Sequence, residues 1–206
     1  FGYDGDAQQW RFWGRQGTRA GLAYPALRGT NQLLNASAVL AALDALRVQL
    51  PVSANAIRVG LASVELPARF QVLPGRPTVI LDVAHNPHAA AVLAANLGSM
   101  PPATSTIAVF GMLRDKDIAG VCRALKGVID VWHVAGLPGP RGTDGPTLEQ
   151  AILAADPIAE VVVHTDIGAA LAAARNRAGL DDRIVVFGSF LTVADAMAAL
   201  ARGAPA

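Results

Sequence analysis

From residue 67 onward the chain alternates two textures, and that alternation restricts the fold more than any other feature. Aliphatic runs stand at "TVILDV" (78–83), "TIAVFG" (106–111), "VIDVWHV" (128–134), "EVVVH" (160–164) and "RIVVFGS" (183–189). Between and after them lie helix-period segments at 87–97, 116–126, 146–155, 167–178 and 191–202. The clearest carries Ile118, Val121, Cys122 and Leu125 at i, i+3, i+4 and i+7, with Gly127 placed to end it. A strand apolar at successive positions must be covered on both faces, and alternation with helices supplies that cover. Right-handed crossovers then require a doubly wound, mainly parallel α/β sheet of Rossmann-like type, with ligands bound beyond the carboxyl ends of its strands.

Residues 1–66 read differently. "QQWRFWG" and the glycines at 14, 17 and 21 predict short strands and turns over residues 1–24. A helix is expected from an N-cap at Thr30, its apolar stripe running Val39, Leu43, Leu46, Leu50 with Asn35 on the same inward face. A second helix covers "ANAIRVGLASV". Two helices and a hairpin bury too little surface to stand alone, so residues 1–66 are expected to be the tail of a preceding domain, and 67–206 a separate one. The chain starts at Phe1 rather than Met, and five of its eleven aromatics fall in the first thirteen residues. That concentration suggests a fragment whose early aromatics face an absent partner surface.

Composition excludes several classes. With 52% hydrophobic and 16% charged residues the chain is globular rather than disordered. A net charge of +1 gives no reason to expect nucleic acid or an anionic membrane as a partner. No apolar run reaches the roughly 18 residues that span a bilayer, and no leader pattern marks export. The single Cys122 suits a reducing, cytoplasmic setting and reads as helix core.

The chemistry-bearing residues gather where strands hand over to helices. In "DVAHNP", Asp82 ends a strand, Asn86 suits an N-cap and Pro87 the first helical position. The elbow either starts a helix, with Asp82 accepting its neighbours' N–H groups, or presents His85 and free N–H groups to an anion. A metal site of Asp82, His85 and His88 is disfavoured, because these straddle an element boundary and lack a fourth ligand. Arg69 in "LPARFQ" can clamp a phosphate bidentately or stand as a surface charge. Arg141, in the glycine-rich loop 137–146, could meet an acidic substrate or remain a loop charge, and Ser189 in "FGSF" ends the last strand with the same two readings. Asp115 reads as an N-cap. Neither a G-x-x-x-x-G-K-[ST] loop nor a G-x-G-x-x-G turn occurs, so neither a P-loop nor an ordinary dinucleotide site is supported.

Taken in order, "NQLLNASAVLAAL", "LPARFQVL", "VILDVAHNPHAA", "VFGMLRDKDI", "GPRG" and "VFGSFLTV" resemble the carboxyl-terminal half of folylpolyglutamate synthase, including its bifunctional dihydrofolate synthase form. More distantly the chain is similar to the Mur ligases of cell-wall synthesis. The resemblance implies an ATP-dependent amide ligase that phosphorylates a pteroate or folate carboxylate and lets L-glutamate attack the acyl phosphate. It implies Asn35, Arg69 and Asp82 as ATP-binding residues, His85 near the transferred phosphate or the incoming glutamate, and Ser189 on the amino-acid side. It implies ATP and Mg2+ as cofactors, with the P-loop and metal ligands in an amino-terminal half that this chain lacks. The 206 residues alone are therefore expected to be inactive. The family usually has glycine where Ala68 stands, which matters if that backbone needs positive φ. The competing expectations are a Mur-type domain acting on a muramyl substrate and a non-catalytic nucleotide-binding module; the "DKD" run, and the presence of Arg69, Asp82 and His85, favour the folate ligase over both.

Overall fold

Residues 1–24 do form short strands. β1 (Gly2–Gly5), β2 (Trp10–Gly14) and β3 (Gly17–Leu22) make an antiparallel sheet in that order, followed by α1 (Gln32–Ala45) and α2 (Ala54–Ser63). The computed structural model describes residues 1–6, 8–29 and 31–202, and the chain divides into two units, Phe1–Leu66 and Pro67–Ala206. The expected cap at Thr30 lies outside the described residues. Asn31 precedes α1 without a side-chain cap bond, whereas Ser53 caps α2 by accepting the Ala56 N–H.

Two sequence expectations fail in this unit, the first only in part, since Phe1 and Trp13 do stand exposed. Trp10 and Phe12 are not held out for a partner: strand alternation turns both inward, and they pack against Ala36, Leu40 and Ile57 in the unit's own core. The stripe on α1 is also a different one. The helix buries Gln32, Ala36, Ser37, Leu40 and Asp44 and leaves Asn35 exposed; Val39 and Leu46 stay half in solvent, and Leu50 lies beyond its end. Alanine and serine allow a close approach to β2 that a row of leucines would block. Arg19 then neutralises the inward Asp44 at 2.6 Å.

The aliphatic runs form the second unit. Its sheet holds β4 (Gln71–Leu73), β5 (Thr78–Leu81), β6 (Thr106–Phe110), β7 (Val131–Ala135), β8 (Glu160–His164) and β9 (Arg183–Phe187). The order is β4-β5-β9-β6-β7-β8, parallel throughout except for β4 at one edge. The helices are α3 (Pro87–Gly98), α4 (Ile118–Ala124), α5 (Gly145–Ala155), α6 (Ile167–Arg177) and α7 (Phe190–Arg202). Side chains of α3, α4 and α5 share one core with Phe110, Trp132 and Phe187, while α6 and α7 share the other with Leu81, Val109 and Val186. This is the doubly wound sheet the sequence predicts. The antiparallel β4 is an addition that its three residues are too few to announce.

Two imidazoles stack across β7 and β8, His133 buried and His164 half-buried, with His133 Nδ1 and His164 Nε2 2.8 Å apart. Burial lowers both pKa values, and for His133 the neighbouring His164 and Arg177 charges add to it. Below their ordinary value of 6.5 the unfolded chain takes up protons that the folded chain refuses. The contribution is therefore complete above that pH and lost as pH falls toward the depressed folded values. The urea midpoint is expected to fall between pH 7.5 and 5.5, less so in a His164→Gln variant; equal midpoints at the two pH values would contradict it.

Candidate functional site

β5 and β9 are neighbours, yet the helices that follow them leave for opposite faces: α3 joins one core and α7 the other. A crevice must open between such diverging connections, at the carboxyl ends of the two strands. At that end Asp82 to Asn86 follow β5, and Gly188 to Phe190 follow β9.

Asp82 works first as a brace. Its Oδ1 accepts the Ala84 N–H at 2.7 Å and its Oδ2 accepts the Phe70 N–H at 2.9 Å, across twelve residues. Burial raises its pKa above the usual carboxylate range, while the two N–H donors and the Arg69 charge act in the opposite direction. The bond to Phe70 holds an arch in which Ala68 and Phe70 both have positive φ, 62° and 47°. The Ala68 N–H donates to Gln71 Oε1 at 3.0 Å, and its carbonyl accepts the Val83 N–H at 3.0 Å. Buried left-handed residues thus flank the exposed Arg69 on both sides, and its side chain stands at the crest. For Ala68→Gly, relief of the left-handed strain is expected to raise stability by about 1 kcal/mol. A denaturant midpoint at or below that of the parent chain would contradict this.

His85 stands opposite. Its Nδ1 lies 2.8 Å from the Val83 carbonyl oxygen, which can only accept, so Nδ1 carries the hydrogen of that bond and Nε2 is the ring nitrogen left for a ligand. Asn86 caps α3 through the Ala89 N–H at 2.9 Å, with Pro87 opening the helix, as the spacing predicts. From the other strand, Gly188 turns at φ 110° and Ser189, buried, accepts the Leu191 N–H at 3.2 Å to start α7. Phe190 follows and is 58% exposed. The Arg69 guanidinium carbon lies 5.7 Å from its ring centroid, and the His85 ring centroid 6.4 Å away at 47°.

The structure therefore gathers Arg69, Asp82, His85 and Ser189 about one crevice and adds Phe190, which sequence reasoning missed. Its only signal was an aromatic directly after a strand-ending glycine and serine. Asn35 lies on α1 in the first unit, where its Nδ2 donates to Gln32 Oε1 at 3.0 Å. Arg141 pairs bidentately with Asp115, at 3.2 and 2.8 Å, tying the loop after β7 to the loop after β6. Asp115 is thus an ion-pair partner and not the expected cap; Asp117 caps α4 instead, through the Gly120 N–H at 2.8 Å, because the helix starts two residues later. Cys122 is buried, and burial pushes its thiol up to about 12, which leaves no thiolate at neutral pH. Among the described residues no group of three His, Cys, Asp or Glu is placed to hold a metal ion, and no helix is long and apolar enough to cross a membrane.

Residues 68–190 match the family model described as "Mur ligase, glutamate ligase domain". The dihydrofolate synthase/folylpolyglutamate synthase of Escherichia coli K12 is 42% identical over 188 residues, which is 91% of this chain and 42% of that protein. That of Haemophilus influenzae is 35% identical over 79% of this chain and 41% of its own length. Among solved structures, Escherichia coli FolC in complex with DHPP and ADP aligns with a TM-score of 0.87 at 40% identity, covering 98% of this chain and 46% of that one. A bifunctional folylpolyglutamate synthase/dihydrofolate synthase with Mn, AMPPNP and L-glutamate bound aligns with a TM-score of 0.82 at 38% identity, covering 97% and 46%. The chain spans less than half the length of these relatives.

Proposed function

The chain belongs to the Mur ligase family, in its glutamate ligase domain, and on that premise we propose that it is the carboxyl-terminal part of an ATP-dependent ligase that joins L-glutamate to dihydropteroate, to folates, or to both. The observation that carries this reading is the β5/β9 divergence, where His85 and the exposed Arg69 both reach the Phe190 ring beyond the carboxyl ends of the strands. Three groups there suit phosphoryl and acyl transfer. Arg69, standing free of the ion pairs found among the described residues, offers a planar cation to phosphate oxygens. The first turn of α3 offers the positive end of its dipole, although Pro87 has no N–H and the Ala89 and Ala90 N–H groups are already taken by Asn86. His85 Nε2 can accept the proton that a glutamate ammonium must lose before its nitrogen attacks.

The steps balance as follows. A substrate carboxylate oxygen attacks the γ-phosphorus of ATP and ADP leaves, giving an acyl phosphate. The glutamate amine attacks the acyl carbon, the amide C–N bond forms, inorganic phosphate departs and one proton is released. Catalysis of both steps is mainly positioning and charge neutralisation, which this chain's residues supply without forming a bond to substrate. Asn35, Arg69 and Asp82 are the nucleotide-binding residues of this reading. Asp82 keeps lone pairs beyond its two backbone bonds, and a carboxylate there suits a ribose hydroxyl better than a phosphate. Ser189 supports the amino-acid side by setting the start of α7. Arg141, held by Asp115, serves an acidic substrate only if that pair opens. As the resemblance implies, this reading assigns the ligands of the divalent metal to an amino-terminal P-loop part of a longer chain.

The reading is tested by phosphate release from the longer protein that contains this chain, given ATP, dihydropteroate and L-glutamate. Release requiring all three is expected, with none from the 206-residue chain alone. No release, or release with a muramyl substrate instead, overturns it.

A further inference from the structure

We infer that Phe190 is a positioning residue: its exposed ring is the wall that holds Arg69 and His85 in the orientations the crevice needs. The kinetic part of this inference rests on the ligase reading above, while the structural part does not. Phe190 is the first residue of α7, and more than half of its surface is in water, so core packing does not account for it. What it does touch is specific. Arg69 arrives from the arch before β4 and lays its guanidinium carbon 5.7 Å from the ring centroid, within cation–π range. His85 arrives from the β5 elbow with its ring centroid 6.4 Å away at 47°, a tilted aromatic contact. One aromatic thus contacts two side chains whose backbones come from different elements.

Each needs such a wall for its own reason. The backbone of Arg69 is held by the left-handed residues on either side, but its long side chain without a wall samples many rotamers. The plane of the ring selects those that lie flat across the crevice. His85 is tied at one end, by its Nδ1–H bond to the Val83 carbonyl, which leaves the swing of Nε2 open; the Phe190 ring limits that swing. Gly188 and Ser189 in turn place Phe190. A glycine turn at φ 110° and a serine that caps α7 leave the first helical side chain pointing over the carboxyl end of β5 rather than into either core.

Two measurements test the inference. In the 206-residue chain, Phe190→Leu is expected to leave thermal stability nearly unchanged, because the ring is exposed. It should shift the Arg69 Nε–H and His85 Cε1–H resonances and erase the nuclear Overhauser contacts of both with position 190, and Phe190→Tyr should restore those contacts. In the longer ligase, Phe190→Leu should raise KM for ATP about two- to fivefold, the range of an exposed cation–π contact. The same change in an Arg69→Ala background should add nothing to KM, because the partner is already gone. Unmoved Arg69 and His85 resonances, an undiminished KM effect in the Arg69→Ala background, or failure of Phe190→Tyr to restore the contacts would overturn it. If the longer protein shows no ligase activity while the resonances move as stated, the positioning role stands and the ligase reading alone falls.

Discussion

Asp82→Asn in the longer ligase is expected to lower ATP- and glutamate-dependent phosphate release at least about tenfold and to cost about 1–3 kcal/mol of stability. Both losses have one origin. The carboxylate accepts one backbone N–H on each oxygen, from Ala84 and from Phe70. Asparagine has one acceptor oxygen, so its amide nitrogen must face one of those N–H groups. A donor meets a donor, and one of the two bonds is lost. If the lost bond is that to Phe70, the arch over Ala68 and Phe70 has nothing to hold its two positive φ angles, and Arg69 loses its fixed station. If it is that to Ala84, the elbow presenting His85 loosens instead. Nucleotide affinity and turnover separate the cases: the first raises KM for ATP, the second mainly lowers kcat. Full activity with unchanged stability would remove Asp82 from both the brace and the nucleotide site.

Gly188→Ala is expected to destabilise the second unit by roughly 2–4 kcal/mol, the sum of a left-handed backbone and an overpacked turn. Gly188 sits at φ 110°, where residues with a Cβ are strained. A methyl group there would come within 2.7 Å of the Phe110 ring and closer still to the Gly111 carbonyl oxygen. Neither neighbour can retreat. Phe110 is buried against Trp132 and Phe187, with centroids 5.5 and 4.9 Å away, and the Gly111 carbonyl accepts the Thr192 hydroxyl at 2.7 Å. The damage therefore falls on the β9-to-α7 turn, which carries Ser189 and Phe190. Chemical denaturation should show a lower midpoint, and activity of the longer ligase should fall further than stability alone explains. A midpoint within about 0.5 kcal/mol of the parent would show that the turn relaxes without cost.

The fold of the second unit was legible because its signals are local and redundant. Five aliphatic runs and five helical periods left one architecture, and "NP" after "DVAH" marked a cap and a first helical turn that both occur. The candidate site was legible only in part. Arg69, Asp82, His85 and Ser189 could be named from their places at strand ends, or from the family resemblance. Their relation to one another could not, because Phe70 and Asp82 are twelve residues apart, and Arg69 and Phe190 lie at opposite ends of the unit. The α1 stripe failed for a related reason. Hydrophobicity ranks Val39 and Leu46 above Ala36 and Ser37, but closeness of packing against β2 prefers the small residues.

What the sequence by itself determined about this protein is the alternation of covered strands and helices, the elbow at Asn86-Pro87, and the residue types offered at the strand ends. Periodicity and capping act over a few residues and are written in order along the chain. Tertiary structure alone decided that Asp82 braces the Arg69 arch, that Arg141 is held by Asp115, and that Phe190 stands between Arg69 and His85. Those contacts depend on which strands lie side by side and to which face each following helix departs. Strand order is set by the packing of the whole sheet, and no short stretch of residues encodes it.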